Sequence, residues 1–214
     1  MFRVSRFRLA PAPIRRAPGF PLKWPIALWL GMALAPIAAV GQQLPRVRLV
    51  TVSGTIEIEV DSIRAPRTAA NFLRYVDGGF FRGGSFHRTV TLANQPSNPI
   101  KIEVIQAAAD SAKRTQLFGP IELERTTLTG ITHRLGTISM ARGAPDSAQD
   151  QFFICLTDLP SLDAGGQRNP DGQGFAAFGR VTRGMDVVRA IQRSPADGQR
   201  LTPPIAITDA TRIP

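Results

Sequence analysis

The stretch Gly136–Leu156, GTISMARGAPDSAQDQFFICL, decides how the chain is read. Thr137–Met140 alternates around Ile138 and Met140, as a half-buried strand does. Ala141–Asp150 is small and polar, with Gly143, Pro145 and Asp146 as turn-formers. Gln151–Leu156 is an aromatic and aliphatic run with one polar residue at its mouth. Two strands joined by such a loop make a shallow shelf. Residues two apart on a strand share a face, which sets Gln151 beside Phe153. An amide that donates and accepts next to an apolar ring suits a short peptide with an apolar side chain. It does not suit a phosphate or a metal.

On the N-terminal side, Val47–Val52 and Thr55–Val60 read as a hairpin around Ser53-Gly54. In its second strand Ile56, Ile58 and Val60 alternate with Thr55, Glu57 and Glu59, which predicts one wet face. Pro66 opens a helical pattern in which Ala69, Phe72, Leu73 and Val76 form an apolar stripe, closed by Gly78-Gly79 after Asp77. Ser85–Val90 and Lys101–Ala107 read as strands around the polar loop Leu92–Pro99. Ile121–Glu124 has the pattern of a short strand, and Arg125–Leu135 is polar and unassigned. Beyond the central stretch, Thr157–Gly174 is a loop rich in Gly, Asp, Asn and Pro. Phe175–Val181 reads as a strand, Gly184–Arg193 as a helix with Met185, Val188 and Ile191 on one side, and Pro204–Asp209 as a last strand. There is no internal repeat and no second domain. Short strands punctuated by turns predict a mainly β fold, a closed eight-stranded antiparallel β-barrel whose open ends are capped by two α-helices.

The formal charge of +10 is unevenly spread. Residues 1–41 hold six Lys/Arg and no acid, leaving +4 for the rest, so the high pI is a weak argument for nucleic acid. Residues 1–23 are basic and Pro-rich, 24–40 are apolar and uncharged, and Ala39-Val40-Gly41 puts small residues at a cleavage site. That order predicts a secretory signal peptide over 1–41, followed by the mature domain 42–214, with the periplasm as destination. The alternative is an uncleaved N-terminal anchor through 24–40, against which Pro25 and Pro36 count. Arg15-Arg16 is followed by residues that fit a twin-arginine signal poorly. Cys155 is the single cysteine, which excludes an intramolecular disulfide, and its apolar neighbours predict an inert buried thiol. His87 and His133 are the only histidines and lack metal-type spacing. Asp146 and Asp150 read as loop solvation. No G-x-S-x-G, P-loop or G-x-G-x-x-G is present.

GTISMARG followed by DQFFICL resembles the central signature of the cyclophilin-type peptidyl-prolyl isomerases. Ser85–Arg88 (SFHR) resembles that family's arginine-bearing strand, and Gly174–Val181 (GFAAFGRV) its last barrel strand before the C-terminal helix. The likeness runs from about Val47 to Asp209. It implies catalysis of rotation about X–Pro bonds, without cofactor or metal. It implies Arg88 as the cationic donor and Gln106 as the glutamine that positions it and the substrate backbone. Ala141 and Gln151 would hold the peptide chain, and Phe86, Val104, Phe153, Leu162 and Phe175 would complete the substrate site. On the residues alone, Arg88 reads first as a solvated surface arginine, because arginine is mostly exposed, while Phe153 and Leu162 read equally as core, Phe175 as a core-facing strand aromatic and Gln106 as a surface amide.

The chain departs from the family pattern in places. An insertion that includes Asn94–Pro99 (NQPSNP) separates Arg88 from Gln106. Glu103 and Val104 replace an aromatic and a methionine, which predicts a thinner pocket wall. Ala107-Ala108 replace two glycines, Phe175 replaces a histidine, and Ser161 stands where many eukaryotic members carry the tryptophan that touches cyclosporin. Expected partners are proline-containing segments of unfolded exported proteins, with no nucleic acid, and a monomer is expected. The competing reading is a proline-peptide-binding or chaperone module that kept the barrel and lost turnover.

Overall fold

The computed structural model describes Gly19 and residues 43–214. The leader reading of 1–41 lies outside the described residues. Strands β1 (Arg46–Thr51) and β2 (Gly54–Val60) form the expected hairpin, with Val47 opposite Ile58 and Leu49 opposite Ile56. Helix α1 (Pro66–Asp77), β3 (Ser85–Val90) and β4 (Val104–Ala108) follow. Next come the one-turn helix α2 (Thr126–Thr129), β5 (Thr137–Met140) and β6 (Phe152–Cys155). The chain ends with β7 (Ala176–Arg183), helix α3 (Met185–Gln192), the two-residue β8 (Ala196–Asp197) and β9 (Arg200–Ile213).

Neighbouring strands run β1-β2-β7-β5-β6-β4-β3-β9, all antiparallel, and β9 returns to β1, so the eight strands close into a barrel. Closure removes the unpaired edges of an open sheet. The extra strand β8 pairs only with β9. Strand β9 is longer than Pro204–Asp209. It reaches β3 at both Arg200 and Ile205, and the ladder steps over Pro203 and Pro204, whose missing N–H groups cannot join it. Ile121 forms a single bridge to Ala148 in place of a strand. Within the unassigned polar stretch lies α2, a third helix ended by Gly130 in the left-handed region at φ 67°.

The barrel interior is aromatic. Phe72 of α1 sits 5.5, 5.4 and 5.1 Å from the rings of Phe81, Phe152 and Phe178. Val188 and Ile191 of α3 join the same core. The predicted wet face of β2 is only partly wet. Glu57 is buried beneath arginines, its carboxylate 3.0 Å from Arg46 and 3.3 Å from Arg48.

The run Phe152–Cys155 is continuous rather than alternating because both of its faces are covered. Phe152 and Ile154 point into the barrel core, while Phe153 and Cys155 join a second, smaller apolar cluster on the outer face of the wall. Strand β4 divides the same way, with Ile105 and Ala107 inside and Val104 outside.

Candidate active site

The outer face of β3, β4, β5 and β6 carries the site. Gln106 lies opposite Arg88 on one side and Phe153 on the other. The Arg88 guanidinium is half-buried and held on three of its N–H groups. Its Nη1 donates to Gln106 Oε1 at 2.8 Å, and its Nε and Nη2 donate to Gln199 Oε1 at 2.9 and 2.6 Å. Five N–H bonds in a planar fork leave one hydrogen on each Nη for a ligand. Burial, with the charge of Arg168 as a second cause, lowers the Arg88 pKa below the ordinary guanidinium value, and the group remains a cation. Gln106 passes the chain of bonds on, its Nε2 donating to Gln151 Oε1 at 2.8 Å. With Arg88 on its oxygen, the orientation of the Gln106 amide is fixed, and the Gln151 amide nitrogen has no partner among the described residues.

Gln199 carries no signal in the sequence that marks it as part of the site. It reaches Arg88 from the turn between β8 and β9, and its Nε2 donates to the Asn94 carbonyl at 3.1 Å. Asn94 belongs to the inserted loop. Its own amide nitrogen donates to the Thr89 and Gly198 carbonyls, both at 3.0 Å. The buried Gln95 ties the loop down through the Thr91 and Ile102 carbonyls. The insertion thus buttresses the side of Arg88 away from Gln106.

Beside these polar groups lies the outer apolar cluster. Val104, Phe153 and Leu162 form its floor, and the half-buried Ala141 and Phe175 pack on it. The Phe153 and Phe175 rings meet edge to face at 5.4 Å. Val90, Ile102 and Leu159 back the floor, so the wall expected to be thin at Glu103-Val104 is filled from behind. The Ala141 N–H is already donated to the Gln151 carbonyl at 2.9 Å, which leaves its own carbonyl for a peptide. Ala107 and Ala108 do not turn the chain. They continue β4 opposite Phe86 and Ser85.

Phe86 is a correction. It is fully buried in the barrel core, 6.0 Å from Phe152, and takes no part in the site. The cause is a bulge at His87. Phe86 faces Ala107 and Arg88 faces Gln106, so two steps on β3 match one on β4, and the two side chains fall on opposite faces. Asp150 is also not a solvated loop acid. It is buried and accepts the Ala109 N–H at 3.0 Å. Asp146 likewise accepts the Leu123 N–H at 2.8 Å, so both acids dock the central loop onto the segment before it.

Two further assemblies brace the apolar floor. His133 is sealed between Asp163 (Nδ1 to Oδ1, 2.7 Å) and Ser139 (Nε2 to Oγ, 2.9 Å), and its ring stacks on Phe153 at an interplanar angle of 14°. The order Asp–His–Ser is that of a hydrolase triad, but His133 and Ser139 are wholly buried, so it acts as a prop rather than a nucleophile. Arg142 makes a two-pronged pair with Asp171 at 2.7 and 2.9 Å and lies 5.1 Å from the centre of the Phe175 ring. That hydrogen-bonded pair lowers the Asp171 pKa to about 2. Burial raises the Cys155 pKa and keeps the thiol protonated, as its neighbours predict.

A family model described as cyclophilin type peptidyl-prolyl cis-trans isomerase/CLD matches residues 46–212. The chain belongs to this family. It is an isomerase of X–Pro peptide bonds. A peptidyl-prolyl cis-trans isomerase of Acinetobacter baylyi is 34% identical over 171 residues, covering 79% of this chain and 82% of that protein. One from Streptomyces antibioticus is 37% identical over 147 residues, covering 68% and 82%. The barrel is also similar to that of a Cryptosporidium parvum cyclophilin, with a TM-score of 0.63 at 21% identity over 80% of this chain and 98% of the other. That cyclophilin was also solved in the presence of the dipeptide Ala-Pro.

Proposed function

We propose that Arg88 carries this cyclophilin's catalysis, on proline-containing segments of proteins exported to the periplasm. The barrier to rotation is about 18–20 kcal/mol because the prolyl nitrogen lone pair is shared with the carbonyl. In the twisted state that lone pair is free. A fixed cationic N–H aimed at it binds the twisted state more tightly than either planar isomer. The observation that supports this is the clamp on Arg88, since three engaged N–H groups leave the remaining two pre-oriented next to an apolar floor. The proline ring rests against Phe153, Phe175 and Leu162. Gln151 and Ala141 hold the peptide backbone, and Gln106 keeps arginine and backbone in register. No step makes or breaks a covalent bond.

A protease-coupled prolyl isomerisation assay on wild type and Arg88→Ala tests this. Loss of about 10²- to 10³-fold in kcat/KM is expected for removal of one preorganised donor. A variant that keeps the full rate would refute the role. Export is supported by the basic, apolar and small-residue order of 1–41. Fractionation of cells expressing the full chain, with N-terminal sequencing, should recover periplasmic protein starting at Gln42. Light scattering on that product should give a monomer.

A further inference from the structure

Isomerisation as described uses the face of Arg88 that looks toward Phe153. On its other side runs a groove of about 800 Å³ that the reaction leaves unassigned. Its walls come from the start of β3, the segment after β4 and the turn into β9, and it meets a smaller cavity of about 300 Å³ at Gln149–Gln151. The groove is therefore continuous with the place where the peptide backbone is held.

The charges lining it are unbalanced in a particular way. Asp150 and Asp110 each already accept a backbone N–H, at 3.0 and 2.9 Å. Arg114 and Arg200 also line the groove, both exposed, and among the described residues neither side chain has a hydrogen-bond or ion-pair partner. Most other arginines of the barrel surface are paired: Arg46 and Arg48 with Glu57, Arg82 with Asp209, Arg180 with Glu59, Arg212 with Asp77. Arg88 is held by Gln106 and Gln199, and the isomerase reading assigns its two remaining N–H groups to the prolyl bond. The two free forks are thus the groups in this groove still seeking a carboxylate.

We propose that this groove is a subsite for an acidic side chain, Asp or Glu, of the client segment, placed within about three residues of the prolyl bond, roughly 10 Å of extended chain. The proposal rests on the isomerase reading of Arg88. It makes Arg114 and Arg200 specificity residues, not catalytic ones.

The test uses short peptides with one proline and a single Glu, Gln or Lys, placed at each position up to three residues on either side. Catalysed cis–trans exchange is read by NMR, and binding of the same peptides by fluorescence anisotropy. At one position or more the Glu peptide should be turned over about three- to tenfold faster than its Gln counterpart at low ionic strength, the size expected of two partly exposed ion pairs. The Lys peptide should be slower than both. Salt near 1 M, where the screening length is about 3 Å, should erase the ranking. In the Arg114→Gln/Arg200→Gln double variant the Glu-to-Gln ratio should fall to near one, and Arg114→Glu/Arg200→Glu should invert it toward Lys. Equal rates for Glu and Gln peptides in the wild type, or a Glu preference that survives the double variant, would overturn the subsite. Failure to accelerate any peptide would count against the isomerase reading instead, and the anisotropy ranking then decides the subsite alone.

Discussion

A single guanidinium is useful here because its freedom has been removed. A lysine at position 88 would keep the charge but could not spread its donors over Gln106 and Gln199 in one plane. Gln199 is the test of that argument. Gln199→Leu removes two of the bonds to Arg88, and misplacement of the catalytic group should lower kcat by up to about 10²-fold with KM little changed. Gln199→Glu keeps an acceptor for the fork and should retain much of the rate. Equal losses in the two variants would point to a merely structural residue. Ser161 is the middle residue of the short turn Pro160–Leu162, beside the floor residue Leu162, and has no indole to lend. Cyclosporin should accordingly inhibit weakly, and an inhibitor titration with nanomolar potency would contradict that.

Elements are fixed by groups that arrive from far along the chain. The residue before α1 is Ala65, which makes no side-chain cap. Glu124 supplies the cap, its carboxylate accepting the Arg67 and Thr68 N–H groups at 3.1 and 2.7 Å. Removing it as Glu124→Ala should cost about 1 kcal/mol, measurable by urea unfolding, since a carboxylate there satisfies free N–H groups and faces the positive end of the helix. The Arg142–Asp171 pair fixes the end of the loop before β7 in the same way. The Asp171 pKa, about 2, lies below its ordinary 3.8, so the pair's contribution is complete above about pH 4 and is lost as pH falls toward about 2. Thermal midpoints of wild type and Asp171→Asn should differ at pH 5 and converge by about pH 2. A gap that persists unchanged at low pH would remove the carboxylate from the explanation.

Across the whole molecule, one barrel wall separates two apolar clusters, and its strands β4 and β6 serve both. Barrel stability rests on the inner one. Phe72→Ala should destabilise by about 3–5 kcal/mol, a large part of the roughly 5–15 kcal/mol that holds a domain folded. Phe153→Ala empties the outer cluster instead. It should reduce kcat/KM more than it reduces the denaturation midpoint, and the reverse ranking would place Phe153 among the structural residues.

The sequence alone determined the hairpin, helices α1 and α3, the strands of the central stretch and the closed barrel, because each follows from local periodicity and turn chemistry. The resemblance of its motifs to the cyclophilins also brought Arg88, Gln106, Gln151, Phe153, Leu162 and Phe175 to notice as a group, which their residue types alone did not. What it could not determine depends on register and on distance along the chain. The bulge at His87, which turns Phe86 inward and Arg88 outward, is a backbone event that two-residue alternation cannot express. Gln199 and Glu124 find their partners 111 and 56 residues away, so no window of sequence contains both ends of either contact. Only the closed barrel, by bringing β3, β4 and β9 side by side, decided which arginine is clamped and that Arg114 and Arg200 line the groove beside it without a side-chain partner among the described residues.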